Sequence, residues 1–456
     1  MGGQFMKSAI ILAAGKGTRM KSDMNKVMHG ILGKPMIGHL VDRLEKVSVD
    51  NIVVVVGYQA DQIKTYLMDR VSYTTQQPQL GTGHAVMQAK ALEKYNGNTL
   101  ILYGDCPLIQ TSTFDLLFSQ NEHKALTVLT AILDDPKQYG RVIRDSSGNM
   151  TAIVEYKDAT EQQKKIKEIN TGIYCVKNEL LFKHLSEISA NNAQNEYYIT
   201  DLVSIFAQQN YPIQGIAVED VDEVMGVNDR IELFKASQWL QEKINQKWML
   251  QGVTIIDPTS TYIDEEVVLS EDVILYPNVY LCKSTTIGKR TIIYPNTYIE
   301  NSVIGERNVI DSSRITDSRV YDDVRIGPFA HLRNGTIIES KNRIGNFVEM
   351  KNTHLGYDSR CAHLTYLGDA DIGSKVNLGC GVVTVNYDGK NKFKTIIKDG
   401  AFIGSNVNLI APITIGEDAV VAAGTTANKD VGDGEMAIGR SRQENKANFG
   451  YQYKNK

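Results

Sequence analysis

The sequence predicts an α/β domain built on a doubly wound sheet, followed by a parallel β-helix. Three observations carry that reading. Apolar side chains recur every six residues from about Val253 to Ala437, a period that fits neither an amphipathic helix nor one alternating strand. Near the N-terminus, strand-length apolar runs (Ser8 to Leu12, Ile52 to Val56) alternate with helical patterns, as in a sheet covered on both faces. A glycine-rich turn, Ala13-Ala14-Gly15-Lys16-Gly17-Thr18-Arg19-Met20, follows the first run at once.

Length and composition set the bounds. A chain of 456 residues exceeds one ordinary core, so two or three domains are expected. A net charge of -4 with 22% charged residues gives no basic field for nucleic acid. No apolar run is long enough to span a bilayer, and the N-terminus lacks the apolar core of a signal peptide. Met1-Gly2-Gly3 hints at myristoylation, but Met6 stands where Ser or Thr is wanted; residues 1–5 read equally well as an extension before a start at Met6. Five scattered cysteines with no close pair suit a reducing cytoplasm and leave no cysteine-based zinc site.

In chain order, the strand at Ser8 to Leu12 feeds the glycine-rich turn, whose backbone N–H groups can approach a polyphosphate while Lys16 and Arg19 add positive charge. The spacing is neither a P-loop nor a dinucleotide fingerprint. A helix near Ile37 to Val47 and the strand at Ile52 to Gly57 continue the alternation. Asp105 ends the apolar run Thr99 to Leu102, at the sheet edge where open α/β folds bind ligands. Spacing alone leaves Asp105 open between a turn cap before Pro107 and a magnesium carboxylate. It leaves Asn228 open between a helix N-cap and a ligand, and Lys26 between a surface lysine and a phosphate contact.

These motifs resemble the sugar-1-phosphate nucleotidylyltransferases. The likeness runs from Leu12 to Met20 with Lys26, through Gln76, Leu80-Gly81-Thr82-Gly83-His84-Ala85 and Tyr103-Gly104-Asp105-Cys106-Pro107-Leu108. It continues in order through Tyr139-Gly140-Arg141, Ile153-Val154-Glu155, Asn170-Thr171-Gly172 and Gly226-Val227-Asn228, and Asn195 to Asp201 favours the uridylyltransferase branch. The resemblance implies a Rossmann-like nucleotidyltransferase domain. It implies nucleotide and sugar contacts at Leu12, Ala13, Ala14, Gly15, Tyr103, Gly104 and Gly140, uracil reading by Gln76, Gly81 and Thr82, and sugar binding by Glu155 and Asn170. It further implies phosphate contacts at Lys26 and Arg19 and Mg²⁺ on Asp105 and Asn228.

Asp229 to Gln251 reads as one helix with Ile231, Phe234, Leu240, Ile244 and Trp248 on a stripe, a spacer into the solenoid. The hexad row runs Ile263, Leu269, Leu275, Leu281, Ile287, Ile293 and Ile299, passes Ile304, Ile310, Ile315 and Val320 with some steps of five, and resumes from Ile326 to Met350 and from Ile403 to Val421. Such a row fits short strands joined by tight corners, one apolar residue per hexad facing a shared axis. Glycine often follows the apolar residue, as a crowded corner requires. Two stretches read as interruptions, where function tends to sit: Asn346 to Ala370, and the polar run Asn386 to Thr395, expected to project as a loop.

Those stretches resemble the acetyltransferase half of the bifunctional bacterial N-acetylglucosamine-1-phosphate uridylyltransferases / glucosamine-1-phosphate N-acetyltransferases, and the likeness then covers almost the whole chain. It implies a left-handed β-helix of hexapeptide repeats and three parts: 1–228 nucleotidylyltransferase, 229–252 linker helix, 253–456 acetyltransferase with a mobile tail from Gly450. By resemblance His363 is the general base for the sugar amine, a task that suits imidazole near neutral pH. Arg333, Lys351, Tyr366 and Asn377 would bind the acceptor; Cys380, Asn386, Tyr387, Ser405, Ala423 and Arg440 would bind acetyl-CoA. Glu349 is a candidate to orient His363, and Cys380 stands where the family commonly has Ala. The implied chemistry is acetylation of glucosamine-1-phosphate, then uridylyl transfer from UTP to N-acetylglucosamine-1-phosphate, by a cytoplasmic homotrimer in cell-wall precursor synthesis. The rival reading is a single-activity nucleotidylyltransferase with a regulatory β-helix, against which the His363 and Asn386 segments speak.

Overall fold

Alternation along the first strand shows how the N-terminal unit is layered. In the computed structural model, which describes residues 5–454, strand Met6–Ala13 sends Ala9, Ile11 and Ala13 into one apolar cluster and Ile10 and Leu12 into another. Strand Asn51–Val56 splits the same way, with Val54 and Val56 on one side and Val53 and Val55 on the other. Successive strand side chains point to opposite faces, so the sheet carries a core on each. Across it the strands run Ile213–Ala217, Leu126–Ile132, Glu168–Lys177, Gly97–Tyr103, Met6–Ala13, Asn51–Val56 and Ser72–Thr75. Strand Met6–Ala13 pairs in parallel with both neighbours, which brings Leu12 to Gly15 and Tyr103 to Asp105 to one edge. The sheet departs from the expected parallel order at Glu168–Lys177, antiparallel to both of its neighbours. Strand Leu126–Ile132 ends where Glu168–Lys177 begins, joined through the hairpin of Arg141–Arg144 and Met150–Val154 without a crossover helix, so the chain returns antiparallel.

The expected long helix is present as Arg230–Leu250, and the division between the chain's two compact units falls inside it, after Leu240. Its stripe differs from the expectation. Leu240, Ile244 and Trp248, spaced four apart, are buried, whereas Ile231 and Phe234 are exposed. Nine residues is two and a half helical turns, which puts Ile231 on the face opposite Leu240.

In the second unit every residue named in the hexad row is buried, from Ile263 to Val421. Three six-residue sides make one coil: Ile263 pairs in parallel with Leu281, and Leu281 with Ile299. The outcome is the expected left-handed parallel β-helix. One of the two expected interruptions is no interruption. Strands Arg343–Lys351 and Arg360–Gly368 run straight through a corner and pair in register, Asn346 against His363 and Lys351 against Gly368. The other is real: residues 386–394 form a hairpin-like excursion with a Tyr387–Lys392 bridge, after which Thr395 rejoins the ladder beside Ala370. The tail expected to be mobile holds a short helix, Phe449–Lys454. The reading of Met1-Gly2-Gly3 lies outside the described residues.

Candidate functional site

The carboxyl edge of the N-terminal sheet opens into a cavity of 430 Å³ lined by Leu12, Ala13, Ala14, Gly15, Arg19, Lys26, Gln76, Gly81, Thr82, Tyr103 and Asp105. Gly17 makes room for Lys26: its φ is +59°, and a Cβ there would lie 2.5 Å from the Lys26 Cβ. The Lys26 ammonium pairs with Asp105 Oδ2 and donates to Asn228 Oδ1 at 2.8 Å. Arg19 Nη2 donates to the same Asn228 oxygen at 2.8 Å. A backbone bond, Val227 N to Asp105 O at 2.8 Å, ties the two distant segments together. Asn228 is not the helix cap that its position suggested. Asp229 Oδ1 accepts from the N–H groups of Ile231 and Glu232 at 2.9 Å, which leaves the Asn228 side chain free to face Lys26.

The Asp105 carboxylate and the Asn228 carbonyl therefore converge on one positive charge. Two hard oxygens already gathered around a cation fit Mg²⁺, which takes one or two protein oxygens and completes its shell with phosphate and water. Among the described residues no group of three or more His, Cys, Asp or Glu is placed to hold a metal by itself.

Beside this charged corner, Gln76 Nε2 donates to Gly81 O at 2.9 Å, and Ile199 N donates to Thr82 Oγ1 at 3.1 Å. Gly104 N bonds Leu12 O at 2.9 Å. Gly140, Glu155 and Asn170 gather next to Tyr103: Asn170 N donates to Gly140 O at 2.9 Å, and a Cβ on Gly140 would lie 3.3 Å from Glu155 Oε2. Burial raises the Glu155 pKa, with Asp158 adding to the shift and a hydrogen bond from Thr200 opposing it. The Asn170 amide is committed inward, donating to the Tyr174 hydroxyl at 2.8 Å and accepting from Gly172 N at 3.0 Å. Lys16 is exposed and does not line the cavity.

On the β-helix, His363 stands exposed at a corner between two sides of the coil, with Nδ1 3.1 Å from Asn346 Oδ1. An amide oxygen only accepts, so Nδ1 carries the proton and Nε2 is left as the acceptor. Gly345 permits this stacking; a Cβ there would lie 1.9 Å from Ala362 O. Glu349 does not orient His363 as expected. It is held by Arg333, whose Nε and Nη2 donate to Glu349 Oε1 at 3.0 and 2.5 Å.

Past the corner, Arg333, Lys351 and Gly368 stack on successive coils. The Tyr366 hydroxyl and the Asn386 amide both lie close over Gly368, and Asn386 Nδ2 donates to Asp369 Oδ2 at 2.5 Å. Lys392 of the projecting loop joins this group: its ammonium beside Lys351 lowers the Lys351 pKa. Two adjacent ammonium groups with Arg333 nearby make a place for an anion. Sequence reasoning missed Lys392 and Asn346; the projecting polar loop was the only signal for Lys392, and nothing in the spacing marked Asn346.

Asn377 does not join this group. It pairs with Arg360, on the side of the coil before the corner. Cys380, Ser405 and Ala423 climb successive coils in one column, linked by Asn406 N to Cys380 O at 2.7 Å and Gly424 N to Ser405 O at 2.8 Å. The Arg440 side chain folds onto that column and donates to Ala423 O at 2.5 Å. Cys380 and Tyr387 are exposed, and the remaining cysteines are free thiols, three of them buried.

Comparison with known proteins adds an independent line. Residues 9–164 match the model of the MobA-like NTP transferase domain, and residues 394–429 match the bacterial transferase hexapeptide (six repeats). The chain is 48% identical over 444 residues to the "Bifunctional protein GlmU" of Geobacillus sp. (strain WCH70), covering 97% of each. It is 48% identical over 452 residues to the protein of that name from Shouchella clausii (strain KSM-K16), covering 98% of this chain and 99% of the relative. With that of Halalkalibacterium halodurans it shares 46% identity over 444 residues, 97% of this chain and 98% of the relative. No helix among the described residues is long and apolar enough to cross a membrane. A nucleotidyltransferase-type cavity, a hexapeptide β-helix with an exposed corner histidine, and relatives nearly half identical from end to end place this chain in the family of the bifunctional GlmU proteins.

Proposed function

We propose that the chain makes UDP-N-acetylglucosamine in two steps at two sites, as an N-acetylglucosamine-1-phosphate uridylyltransferase and a glucosamine-1-phosphate N-acetyltransferase. Residues 1–228 serve uridylyl transfer, 253–456 serve acetyl transfer, and the helix between them joins the two. The observation that carries the reading is the pairing of two unlike constellations in one chain: an Asp105–Lys26–Asn228 charge cluster at a sheet edge, and a His363 with a free Nε2 beside a cationic pocket.

In the β-helix, Arg333, Lys351 and Lys392 hold the phosphate of glucosamine-1-phosphate, with Tyr366 and Asn386 against the sugar. His363 Nε2 takes a proton from the 2-amino group as that nitrogen attacks the thioester carbonyl of acetyl-CoA; the C–S bond then breaks and the coenzyme leaves as thiol. Cys380, Tyr387, Ser405, Ala423 and Arg440 hold acetyl-CoA along the corner column, with the Arg440 guanidinium set for a phosphate. Asn377 completes the acceptor pocket from a neighbouring copy in a homotrimer, since within one chain it lies on the other side of the corner.

In the α/β domain, Gln76, Gly81 and Thr82 read the uracil, while Tyr103, Gly140, Glu155 and Asn170 hold N-acetylglucosamine-1-phosphate. Its phosphate oxygen attacks the α-phosphorus of UTP, and pyrophosphate leaves. Lys26 and Arg19 neutralise the phosphates, and the backbone from Leu12 to Gly15 holds them in line, so catalysis here is positioning and charge compensation. Asp105 and Asn228 would hold Mg²⁺, which when bound would supply further charge neutralisation on the triphosphate.

The test is a pair of assays on the full chain: thiol release from acetyl-CoA dependent on glucosamine-1-phosphate, and pyrophosphate release from UTP dependent on N-acetylglucosamine-1-phosphate. Absence of the first with the second intact would leave the single-activity nucleotidylyltransferase in its place.

A further inference from the structure

An amide side chain presents a donor at one end and an acceptor at the other, so what it recognises depends on what holds it in place. Gln76, in the wall of the N-terminal cavity, is buried, and its backbone N donates to Val56 O at 2.9 Å. Its Nε2 lies 2.9 Å from Gly81 O and 3.2 Å from His84 Nδ1. A backbone carbonyl only accepts, so the group beside Gly81 O is the amide nitrogen. That carbonyl is itself fixed. It accepts from Ala85 N at 3.1 Å in the first turn of helix Thr82–Met87. The segment before the helix is pinned by Gly83 N to Tyr197 O at 2.7 Å and Tyr197 N to Leu80 O at 2.8 Å.

With one amide hydrogen on Gly81 O, the second is left for His84 Nδ1, which is then the unprotonated ring nitrogen. A second glutamine competes for the ring. Gln88 Nε2 stands 3.2 Å from His84 Nε2 and donates to His84 O at 3.0 Å. Neutral imidazole accepts at only one nitrogen, so it serves one glutamine amide nitrogen and not both. Gln76 is buried and held by its other hydrogen. Gln88 is half-buried and lines a separate cavity of 590 Å³ with Met87, Phe182 and Leu185, so it can exchange its amide ends and let water replace the bond it gives up. The Nδ1 lone pair therefore goes to Gln76 and the Nε2 proton to Gln88. Gln76 Oε1 meets no donor among the described residues and is not sealed from the nucleotide cavity, which Gln76 lines and His84 does not.

We infer that His84 is a positioning residue for base selection: its Nδ1 holds the Gln76 amide with the oxygen toward the nucleotide. The inference rests on the uridylyltransferase reading above, with Gln76 as a base contact. An oxygen there accepts from the N3–H of uracil and meets only a lone pair at N3 of cytosine. Turning the amide over would offer cytosine a donor, but it would set Oε1 against two acceptors, Gly81 O and His84 Nδ1. Without the ring nitrogen, Gly81 alone opposes that turn. His84 stands behind Gln76 and acts on the base through it.

The test is pyrophosphate release from UTP and from CTP, each with N-acetylglucosamine-1-phosphate, by the full chain and by His84→Asn and His84→Gln. The asparagine carbonyl oxygen falls where Nδ1 stands, whereas that of glutamine falls near Nε2, away from Gln76. His84→Asn should therefore keep the parent's UTP-to-CTP ratio of kcat/KM. In His84→Gln the ratio should fall about 2- to 12-fold, the loss of one hydrogen bond. The same order is expected in kcat/KM for UTP alone, should CTP turn over too slowly to be read. A residue that served only the helix would give the opposite order, because glutamine is the better helix former; the melting temperatures of the two variants report that separately. A parent-like ratio in His84→Gln overturns the inference, and so does a ratio in His84→Asn as low as in His84→Gln. A parent that releases no pyrophosphate from UTP refutes the uridylyltransferase reading instead, a result distinct from both because each of them is read against an active parent.

Discussion

Replacing Asn346 by alanine removes the hydrogen bond that fixes the His363 ring. Asn346 is half-buried and His363 is exposed, so water can take the place of the lost oxygen. The cost is then that of one neutral hydrogen bond, about 0.5–1.5 kcal/mol, which is a fall in acetyl transfer of about 2- to 12-fold. The loss should appear in kcat with little change in KM, because Asn346 acts through the ring. His363→Ala removes the proton acceptor itself and should cost about 10²–10⁴-fold. Asn346→Asp keeps the hydrogen bond but sets a negative charge beside Nδ1, which favours the protonated ring; the acid-side fall of the rate then moves to higher pH. The assay is thiol release at saturating glucosamine-1-phosphate across pH, with pyrophosphate release from UTP as the control for folding. Parent-like kcat in Asn346→Ala, or a loss as deep as that of His363→Ala, refutes the assigned tautomer and its support.

Four further outcomes are expected. Asp105→Asn leaves Lys26 without its carboxylate and should lower uridylyl transfer about 10²–10³-fold while acetyl transfer is retained. Gly17→Ala should cost about 1–2 kcal/mol of stability for a side chain at positive φ and raise the KM for UTP by displacing Lys26, read by denaturant unfolding and pyrophosphate release. His354 is lowered by burial but raised more by its bonds to Asp371 and Glu339, each at 3.0 Å. Its folded pKa therefore lies above the ordinary 6.5, so the stabilisation is complete below 6.5 and fades as pH rises through the raised value. The stability gap between parent and His354→Asn should close on the alkaline side, by a small amount since the cluster is half-exposed and solvent-screened. Cys380→Ala should leave both activities unchanged, because the two side chains are similar in size and the proposed acetyl transfer uses no thiol of the protein; inactivation would point to chemistry at the thiol.

The inward half of each domain was legible in the sequence because burial follows a period. Every hexad residue from Ile263 to Val421 that the spacing marked is in the solenoid core. The apolar runs at Ser8 to Leu12 and Ile52 to Val56 became interior strands paired with each other. The antiparallel strand Glu168–Lys177 was not legible, since strand direction depends on which end of the sheet the preceding connection leaves from. The freedom of Asn228 was not legible either. Whether Asn228 or Asp229 caps the helix depends on where the first turn begins, and that differs by one residue.

The outward half of the β-helix shows why site assembly is harder to read than the core. A six-residue period says which side chain points in, but which outward side chains share a coil side depends on the length of every coil. That length is not constant. Arg333 pairs with Lys351 eighteen residues on, and Asn346 with His363 seventeen on. Val383 meets Asn408 after the projecting loop has inserted seven more. Each missing or added residue shifts the outward register while the inward row stays intact, because a corner absorbs the change. Arg333, Lys351 and Lys392 therefore meet through three coils of unequal length, and Asn377 comes to rest on the far side of the corner. Shortening the 386–394 excursion to a plain corner should thus keep the coil core and its unfolding transition while removing Lys392, Asn386 and acetyl transfer together. Loss of the fold instead would show that the loop, and not the hexad row, holds these coils in register.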